Sequence, residues 1–362
     1  TVNNPGIEAL KNVFDDIIEF CETTREMLDR EYNIEQDEDE KSKISSANIL
    51  VSGAMESIYV YNKLTCYSDK LIDDSNSVYS ISRNDTGRIS ITLQPISPSK
   101  DLVDNFFAIA DLSCILTSAT LSVDNSFDYI KEQTGLSTLG SDKVMDFIGE
   151  SPFNLTNQQL WYLPSDAIEG DAANSAIFNE SMPKQIESII RACNGGVLCL
   201  FTSIYNMNLA YKYLDSNVNE YKILKQGQRP KNLLVSDFTN DVNSVLLGTK
   251  SLFTGIDVPG EALRCVIMDK LPFPNPKDPL MQKFQQIYGY SAFWKYSIPE
   301  MVITLKQAIG RGVRSVSDKC VVVFLDNRLS TKKYKATINR SFNYQKTVTR
   351  DIDKVVEFIN EE

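Results

Sequence analysis

Residues 245–263 read VLLGTKSLFTGIDVPGEAL, and this stretch decides the fold class. Its apolar start, 245–247, has the length of a buried strand and leads into Gly248-Thr249, followed by Gly255-x-Asp257. Parallel α/β sheets bind their ligands at the carboxyl ends of such strands. A glycine close to a carboxylate lets the backbone approach a phosphate or a ribose. We therefore expect Thr249, Gly255 and Asp257 to lie in a ligand site.

Strand-like and helix-like segments alternate on both sides of this stretch. The other apolar runs with strand character are 114–116, 160–163, 197–201, 222–224, 265–268 and 320–325. The segments with helical character are 101–110, 181–193, 204–215, 231–239, 299–312 and 345–360. Alternation of this kind predicts an α/β fold, with a parallel sheet flanked by helices.

The first part of the chain has a different pattern. Residues 5–32 and 45–72 each predict a long helix, and the acidic run 35–40 between them predicts a solvated linker. We expect these two helices to form an α-helical hairpin. Residues 77–94 then alternate in twos around the turn sequence 84–87, which predicts a β-hairpin.

Composition narrows the classes of function. The 362 residues carry a net charge of -11, so any nucleic-acid contact is expected to be a local groove for a single strand rather than a broad basic face. The chain has seven cysteines, no histidine and no C-x-x-C pair, so we expect no metal site and no iron–sulfur cluster in this segment. Neither a membrane-spanning run nor a signal peptide is evident, which favours a cytoplasmic protein.

Gln307, Arg311 and Arg314 follow the spacing i, i+4, i+7 within the predicted helix 299–312. On a helix these three side chains share one face, and Gly310 leaves room for a ligand to approach closely. Guanidinium groups are always charged and bind phosphate oxygens in pairs. The stripe is therefore a candidate triphosphate site, although a solvated basic face would have the same pattern.

Two short hydroxyl-rich strings follow predicted strands. Ser118-Ala119-Thr120 comes after the run 114–116, and Thr202-Ser203 separates the run 197–201 from a predicted helix. Hydroxyl and N–H groups at the N-terminus of a helix suit a DNA phosphate. Both strings are also ordinary turn and helix-cap residues, so this alternative stays open.

Taken together, these strings resemble the helicase motifs of one family. Residues 307–314 (QAIGRGVR) resemble motif VI, and 245–257 resemble motif V. The latter continues into 269–279 (DKLPFPNPKDP), which contains the string most specific to DinG-type proteins. Residues 118–120 and 201–203 are similar to motifs III and IV. Because the four motifs occur in family order, the chain resembles the C-terminal half of a superfamily 2 DNA helicase of the DinG/XPD type.

The resemblance implies a division of the chain into three parts. Residues 1–75 would be the end of the helical arch insertion, and residues 76–145 a remnant of the first motor domain with the Ser-Ala-Thr motif. Residues 146–362 would be the RecA-like second motor domain. The family is ATP-dependent and translocates on single-stranded DNA, with 5′→3′ polarity implied by the resemblance alone.

The resemblance also assigns roles to the candidate residues. Arg311 and Arg314 would be the catalytic arginine fingers at the γ-phosphate of ATP. The expected ATP-binding residues are Gln307, Gly310, Gly255 and Asp257. The expected DNA-binding residues are Thr202, Ser203 and Thr249. The expected coupling residues are Ser118, Ala119 and Thr120.

The sequence contains no G-x-x-x-x-G-K-[ST] phosphate-binding loop and no apolar strand that ends in Asp-Glu. ATP and Mg²⁺ are thus expected to be held together with an upstream first motor domain of the same protein, and the isolated chain is expected not to hydrolyse ATP. Three alternatives remain: the helicase-like half of a DinG-type exonuclease, a non-catalytic module that binds single-stranded DNA, and an unrelated α/β nucleotide enzyme with Arg311 and Arg314 away from any sheet edge. The oligomeric state is not fixed by the sequence.

Overall fold

The computed structural model describes residues 5–34, 37–66, 77–83, 87–109, 113–253, 258 and 260–361. The chain forms two compact units, Thr1–Ile96 and Ser97–Glu362. The three-part division predicted at residues 75 and 145 stays a prediction. Within the described part of the chain, no helix is both long enough and apolar enough to cross a membrane.

The first unit contains a helical pair and a β-hairpin. Helices α1 (Pro5–Ile34) and α2 (Glu38–Cys66) pack against each other, and the side chain of Asn48 donates to Asp29 across the pair at 2.7 Å. Strands β1 (Ser77–Arg83) and β2 (Ile89–Pro95) are antiparallel. Both predicted hairpins are confirmed, while the turn residues 84–86 lie outside the described residues.

The prediction of a linker over 35–40 was wrong for its C-terminal half, which is helical, while residues 35 and 36 lie outside the described residues. Helix α2 begins at Glu38, seven residues before the predicted start. The carboxylate of Asp37 accepts a hydrogen bond from the backbone N–H of Asp39 at 2.8 Å, which caps the helix. Acidic side chains in the first turn are also favoured by the helix dipole.

The second unit is built on a seven-stranded sheet in which all pairings are parallel. The strands are β3 (Gln159–Tyr162), β4 (Val197–Leu200), β5 (Ile223–Lys225), β6 (Val245–Gly248), β7 (Cys265–Met268), β8 (Cys320–Phe324) and β9 (Thr347–Thr349). Their order across the sheet is β5-β6-β4-β7-β8-β3-β9. The predicted α/β class with a parallel sheet is confirmed.

The α-helices of this unit are α3 (Ser99–Leu102), α4 (Asp128–Thr134), α5 (Leu155–Gln158), α6 (Ser175–Ala192), α7 (Ile204–Asn217), α8 (Lys231–Asn240), α9 (Lys250–Phe253), α10 (Pro279–Tyr288), α11 (Ile298–Ile309), α12 (Arg328–Thr331), α13 (Lys335–Ser341) and α14 (Ile352–Asn360). Helices α6, α7 and α14 cover one face of the sheet, and α8 and α11 cover the other. Val197 and Cys199 of β4 pack into the core formed with α6, α7 and α14, whereas Leu198 and Leu200 pack with α8 and α11. This alternation follows from the two-residue period of a strand.

Two predicted elements were wrong. Residues 114–116 form no strand. Ile115 is 89% exposed, and no strand of the described chain pairs with these residues. The helix predicted over 345–360 begins only at Ile352, where the Asp351 side chain caps it. The residues before it form β9, which fits the β-branched run Thr347–Thr349.

Candidate functional site

Four neighbouring strands of the sheet are each followed by a polar residue, one or two positions after the strand ends. Thr202 follows β4, Thr249 follows β6, Asp269 follows β7 and Asp326 follows β8. Parallel strands end at the same edge, so these residues share the carboxyl edge, where α/β sheets bind ligands.

Asp269 organises the start of α7. Its buried carboxylate accepts hydrogen bonds from the backbone N–H groups of Thr202 at 2.8 Å and Lys270 at 2.7 Å, and from the Asn206 amide at 2.9 Å. The Oγ of Ser203 accepts from the backbone N–H of Asn206 at 3.1 Å, so Ser203 is the N-cap of α7. Thr202 is exposed in front of this helix N-terminus. The cap interpretation is correct for Ser203, and it places Thr202 where an anion can approach.

Burial raises the pKa of Asp269 to about 6. The hydrogen bonds from Asn206, Thr202 and Lys270 act in the opposite direction and limit the rise, because they stabilise the ionised form. The carboxyl group therefore changes charge close to neutral pH, directly beneath the backbone of Thr202.

Thr249 is held at the end of β6 by a neighbouring strand. Its backbone N–H donates to Oε1 of Gln226 at 2.8 Å, and its hydroxyl approaches the same oxygen at 3.2 Å. Gln226 itself follows β5. Gly255 and Asp257, the other candidates of this block, lie outside the described residues.

A buried ion pair ties three loops of the carboxyl edge together. Arg328 and Asp326 pair at 2.6 Å. Asp326 also accepts from the backbone N–H groups of Gly170, beyond β3, and Leu271, beyond β7, both at 3.0 Å. The guanidinium of Arg328 lies 5.5 Å from the centre of the Phe273 ring. These contacts fix the shape of the edge around β3, β7 and β8.

The arginine stripe is not helical, which corrects the predicted geometry. Helix α11 ends at Ile309, and the backbone N–H groups of Arg311 and Gly312 instead bond three residues back, each at 3.2 Å. A Cβ atom at Gly312 would lie 2.2 Å from Sγ of Cys320, so only glycine permits this close turn against β8. Gln307 is in the last helical turn, Arg311 is half-buried in the turn and Arg314 is exposed beyond it.

The loop that carries these arginines is firmly held. Asp318 accepts from the backbone N–H groups of Arg314 at 2.7 Å and Ser315 at 2.8 Å. The Gln158 amide, immediately before β3, donates to the carbonyls of Ser315 at 2.8 Å and Asp318 at 2.9 Å. The loop thus precedes β8 and contacts the start of β3, which places it at the amino edge of the sheet.

The structure therefore separates the candidate residues into two groups. Thr202, Ser203 and Thr249 come together at the carboxyl edge, whereas Arg311 and Arg314 lie in the loop at the amino edge. The fold therefore contradicts the alternative in which Arg311 and Arg314 lie away from any sheet edge. Gly310 caps the end of α11.

Ser118, Ala119 and Thr120 lie in a turn, where the backbone N–H of Thr120 donates to Oγ of Ser118 at 3.2 Å. Two residues further on, Nζ of Lys306 donates to the carbonyl of Ser122 at 2.8 Å and to its Oγ at 3.1 Å. Burial lowers the pKa of Lys306 to about 8. This segment is thereby fastened to α11 next to Gln307.

Sequence reasoning did not find Asp269, Gln226 or Lys306 as site residues. Asp269 had a usable signal, since a carboxylate that directly follows a buried strand lies at the carboxyl edge. Gln226 and Lys306 had none, because their importance comes from partners distant in sequence. Among the described residues, no group of three or more His, Cys, Asp or Glu side chains is placed to hold a metal ion.

Residues 186–345 match the helicase C-terminal domain family. In sequence the chain is similar to DNA helicases of the YoaA and DinG type, and its fold is similar to that of XPD helicases. A solved XPD helicase structure aligns with a TM-score of 0.53 at 19% identity and covers 87% of this chain and 56% of that one. This likeness supports the fold.

Three curated relatives are similar in sequence. The ATP-dependent DNA helicase YoaA of Haemophilus influenzae is 35% identical over 248 residues, which is 68% of this chain and 37% of the relative. YoaA of Escherichia coli strain K12 is 30% identical over 361 residues, 98% of this chain and 52% of the relative. The 3′-5′ exonuclease DinG of Bacillus subtilis is 32% identical over 253 residues, 68% of this chain and 27% of the relative. The chain thus spans about half or less of the relatives it matches.

Proposed function

We propose that this chain is the C-terminal part of an ATP-dependent DNA helicase with 5′→3′ movement on single-stranded DNA, and that residues 146–362 are its second motor domain. The proposal is carried by the separation of the candidate residues: the hydrogen-bonded arginine loop lies at one edge of the sheet and the hydroxyl groups lie at the other. Two separate surfaces suit a protein that must bind a nucleotide and a DNA strand at the same time.

The arginine loop is the nucleotide surface. Arg311 and Arg314 would stabilise charge at the γ-phosphate, with Gln307 and Gly310 beside them. Guanidinium groups fit phosphate oxygens and do not bind Mg²⁺, which takes oxygen ligands. We therefore assign Mg²⁺ and the remaining phosphates to a first motor domain, and we expect the isolated chain not to hydrolyse ATP.

The carboxyl edge is the DNA surface. Thr202 and Ser203 stand at the N-terminus of the 14-residue helix α7, where free N–H groups and the helix dipole favour a phosphate. The hydroxyls of Thr202 and Thr249 make internal contacts of 3.3 and 3.2 Å, which a charged phosphate oxygen can replace. Gly255, Asp257 and the segment 118–120 would couple this surface to the nucleotide.

The DNA surface can be tested with Thr202→Val and Thr249→Val, which remove each hydroxyl at nearly constant volume. We expect each change to weaken binding of single-stranded DNA by about 10- to 100-fold, because one hydrogen bond to a charged group is lost. Fluorescence anisotropy with a labelled oligonucleotide measures the effect. Thr239→Val on α8 is the control, since its hydroxyl bonds within its own helix. Unaltered affinity in both variants would remove the basis for this DNA surface.

The second candidate is the helicase-like half of a DinG-type exonuclease. It is favoured by the 32% identity to the Bacillus subtilis protein that bears this name. The full-length protein would then shorten a single strand from its 3′ end without ATP. Strand separation that requires ATP, with no loss of nucleotides, supports the helicase instead.

A further inference from the structure

An exposed group of aromatic side chains lies outside the residues assigned so far. Tyr288 ends α10, and Tyr290, Phe293 and Trp294 follow in the connection to α11, with Lys295 beside them. Tyr290 is fully exposed and Trp294 is 50% exposed. We call these five residues the aromatic shelf. Large aromatic side chains gathered on a surface mark a binding site more often than scattered ones do.

Other rings hold the shelf from behind. The ring of Phe293 stacks on that of Phe273, with centroids 5.6 Å apart and planes inclined by 26°. Tyr288 stacks on the buried Phe284 at 5.8 Å, and Phe284 stacks in turn on Tyr296 at 4.3 Å. The rings of Phe293 and Tyr288 are therefore anchored to the core and lose little conformational freedom when a flat ligand stacks on the shelf.

The shelf lies at the carboxyl edge. Helix α11 leads to the loop at the amino edge, so its beginning, next to the shelf, is at the opposite end. Phe273, which supports the shelf, also contacts Arg328 of the ion pair that organises the carboxyl edge. The aromatic rings and the proposed phosphate contacts at Thr202 and Thr249 are thus on the same side of the sheet.

A lysine lies beside the rings of the shelf. Lys283 and Lys295 are the charged residues between Asp278, whose carboxylate caps α10, and Glu300, whose carboxylate accepts a hydrogen bond from the hydroxyl of Tyr129. The positive charge next to the exposed rings is therefore that of Lys295. Nζ of Lys295 lies 5.4 Å from the centre of the Tyr288 ring, so a cation is positioned within the shelf itself. Aromatic rings interleaved with cations are typical of surfaces that stack bases and hold phosphates.

We propose that the aromatic shelf binds unstacked bases of the single strand whose phosphates contact the hydroxyl groups of the same edge. The inference rests on the proposed function, and it adds base stacking to a contact made otherwise through the backbone of the DNA. Stacking is tolerant of sequence, because every base presents a flat ring. The shelf would therefore retain the strand without selecting its sequence.

The chain contains its own probe, because it has two tryptophans and Trp161 is buried at 1% exposure. Titration with oligodeoxythymidylate is expected to quench the fluorescence of Trp294, and Trp294→Phe should remove most of that change. Tyr290→Ala and Trp294→Ala should each weaken the affinity by about 10-fold, within the range known for loss of one stacked base. Tyr32→Ala, at an exposed tyrosine of α1, is the matched control.

A strand of the same length without bases separates stacking from charge. The unmodified chain should bind this abasic strand more weakly than oligodeoxythymidylate, and the shelf variants should bind it as the unmodified chain does. The proposal is wrong if the variants bind both strands with unchanged affinity and the fluorescence of Trp294 is not quenched. The shelf would then not bind DNA, and a protein partner would be the remaining candidate for this surface. If the unmodified chain binds neither strand, the proposed function fails together with the shelf.

Discussion

At the residue scale, one buried carboxyl group determines how the proposed DNA surface is presented. Asp269 holds the backbone of Thr202 and the side chain of Asn206 in place. The sequence predicted that Thr202 and Ser203 precede a helix, and this is correct. It could not show which carboxyl group lies beneath them, because that depends on the adjacency of β4 and β7, whose sequences are far apart.

Asp269 should make stability depend on pH. Its pKa rises from 3.8 to about 6 on folding, so the folded state holds the proton more tightly than the unfolded state. The stability that this proton contributes is therefore fully present below about pH 4 and is lost as the pH rises through about 6. The free energy of unfolding falls by about 3 kcal/mol over this range. Asp269→Asn should abolish this dependence of the free energy of unfolding on pH, measured by urea unfolding across that range. Asp215→Asn, at an exposed position on α7, should preserve it, and parallel curves for all three proteins would refute the buried titration.

At the element scale, the end of α11 shows where sequence patterns succeed and fail. The spacing of Gln307, Arg311 and Arg314 fits a helix, but the chain leaves the helix at Ile309 because Gly312 must pass close to Cys320. That contact joins a loop to a strand and cannot be read from periodicity. Six of the seven strands of the sheet were predicted because they are short buried apolar runs, whereas β9 is half-exposed and lacks this signal.

Gly312→Ala tests the account of this turn. The added Cβ would meet Sγ of Cys320 at 2.2 Å, so the loop must shift away from β8. We expect a loss of about 1–3 kcal/mol in the free energy of unfolding, as for other overpacked sites. Gly53→Ala in α2, where no atom lies within 4 Å, should instead leave stability unchanged or raise it. Equal stability of Gly312→Ala and the unmodified chain in chemical denaturation would show that the turn tolerates a side chain.

Across the second unit as a whole, the sheet holds the two proposed ligand surfaces apart. The hydroxyl groups and the aromatic shelf lie at the carboxyl edge, and the arginine loop lies at the amino edge. The sequence predicted the sheet and a single stripe of arginines on one helix face, but not the edge of the sheet at which the arginines lie. The order of the elements along the chain decides this, because a loop between a helix and the next parallel strand returns to the amino edge.

In the proposed mechanism, Arg311 acts on a nucleotide held by a first motor domain. DNA-stimulated ATP turnover of the full-length protein with Arg311→Ala tests this role. We expect turnover to fall by about 10³-fold or more with nucleotide affinity largely retained, because an arginine finger stabilises charge in the transition state. Arg191→Ala, at the exposed end of α6, should turn over ATP normally. Turnover in Arg311→Ala equal to that of the unmodified protein would contradict the claim.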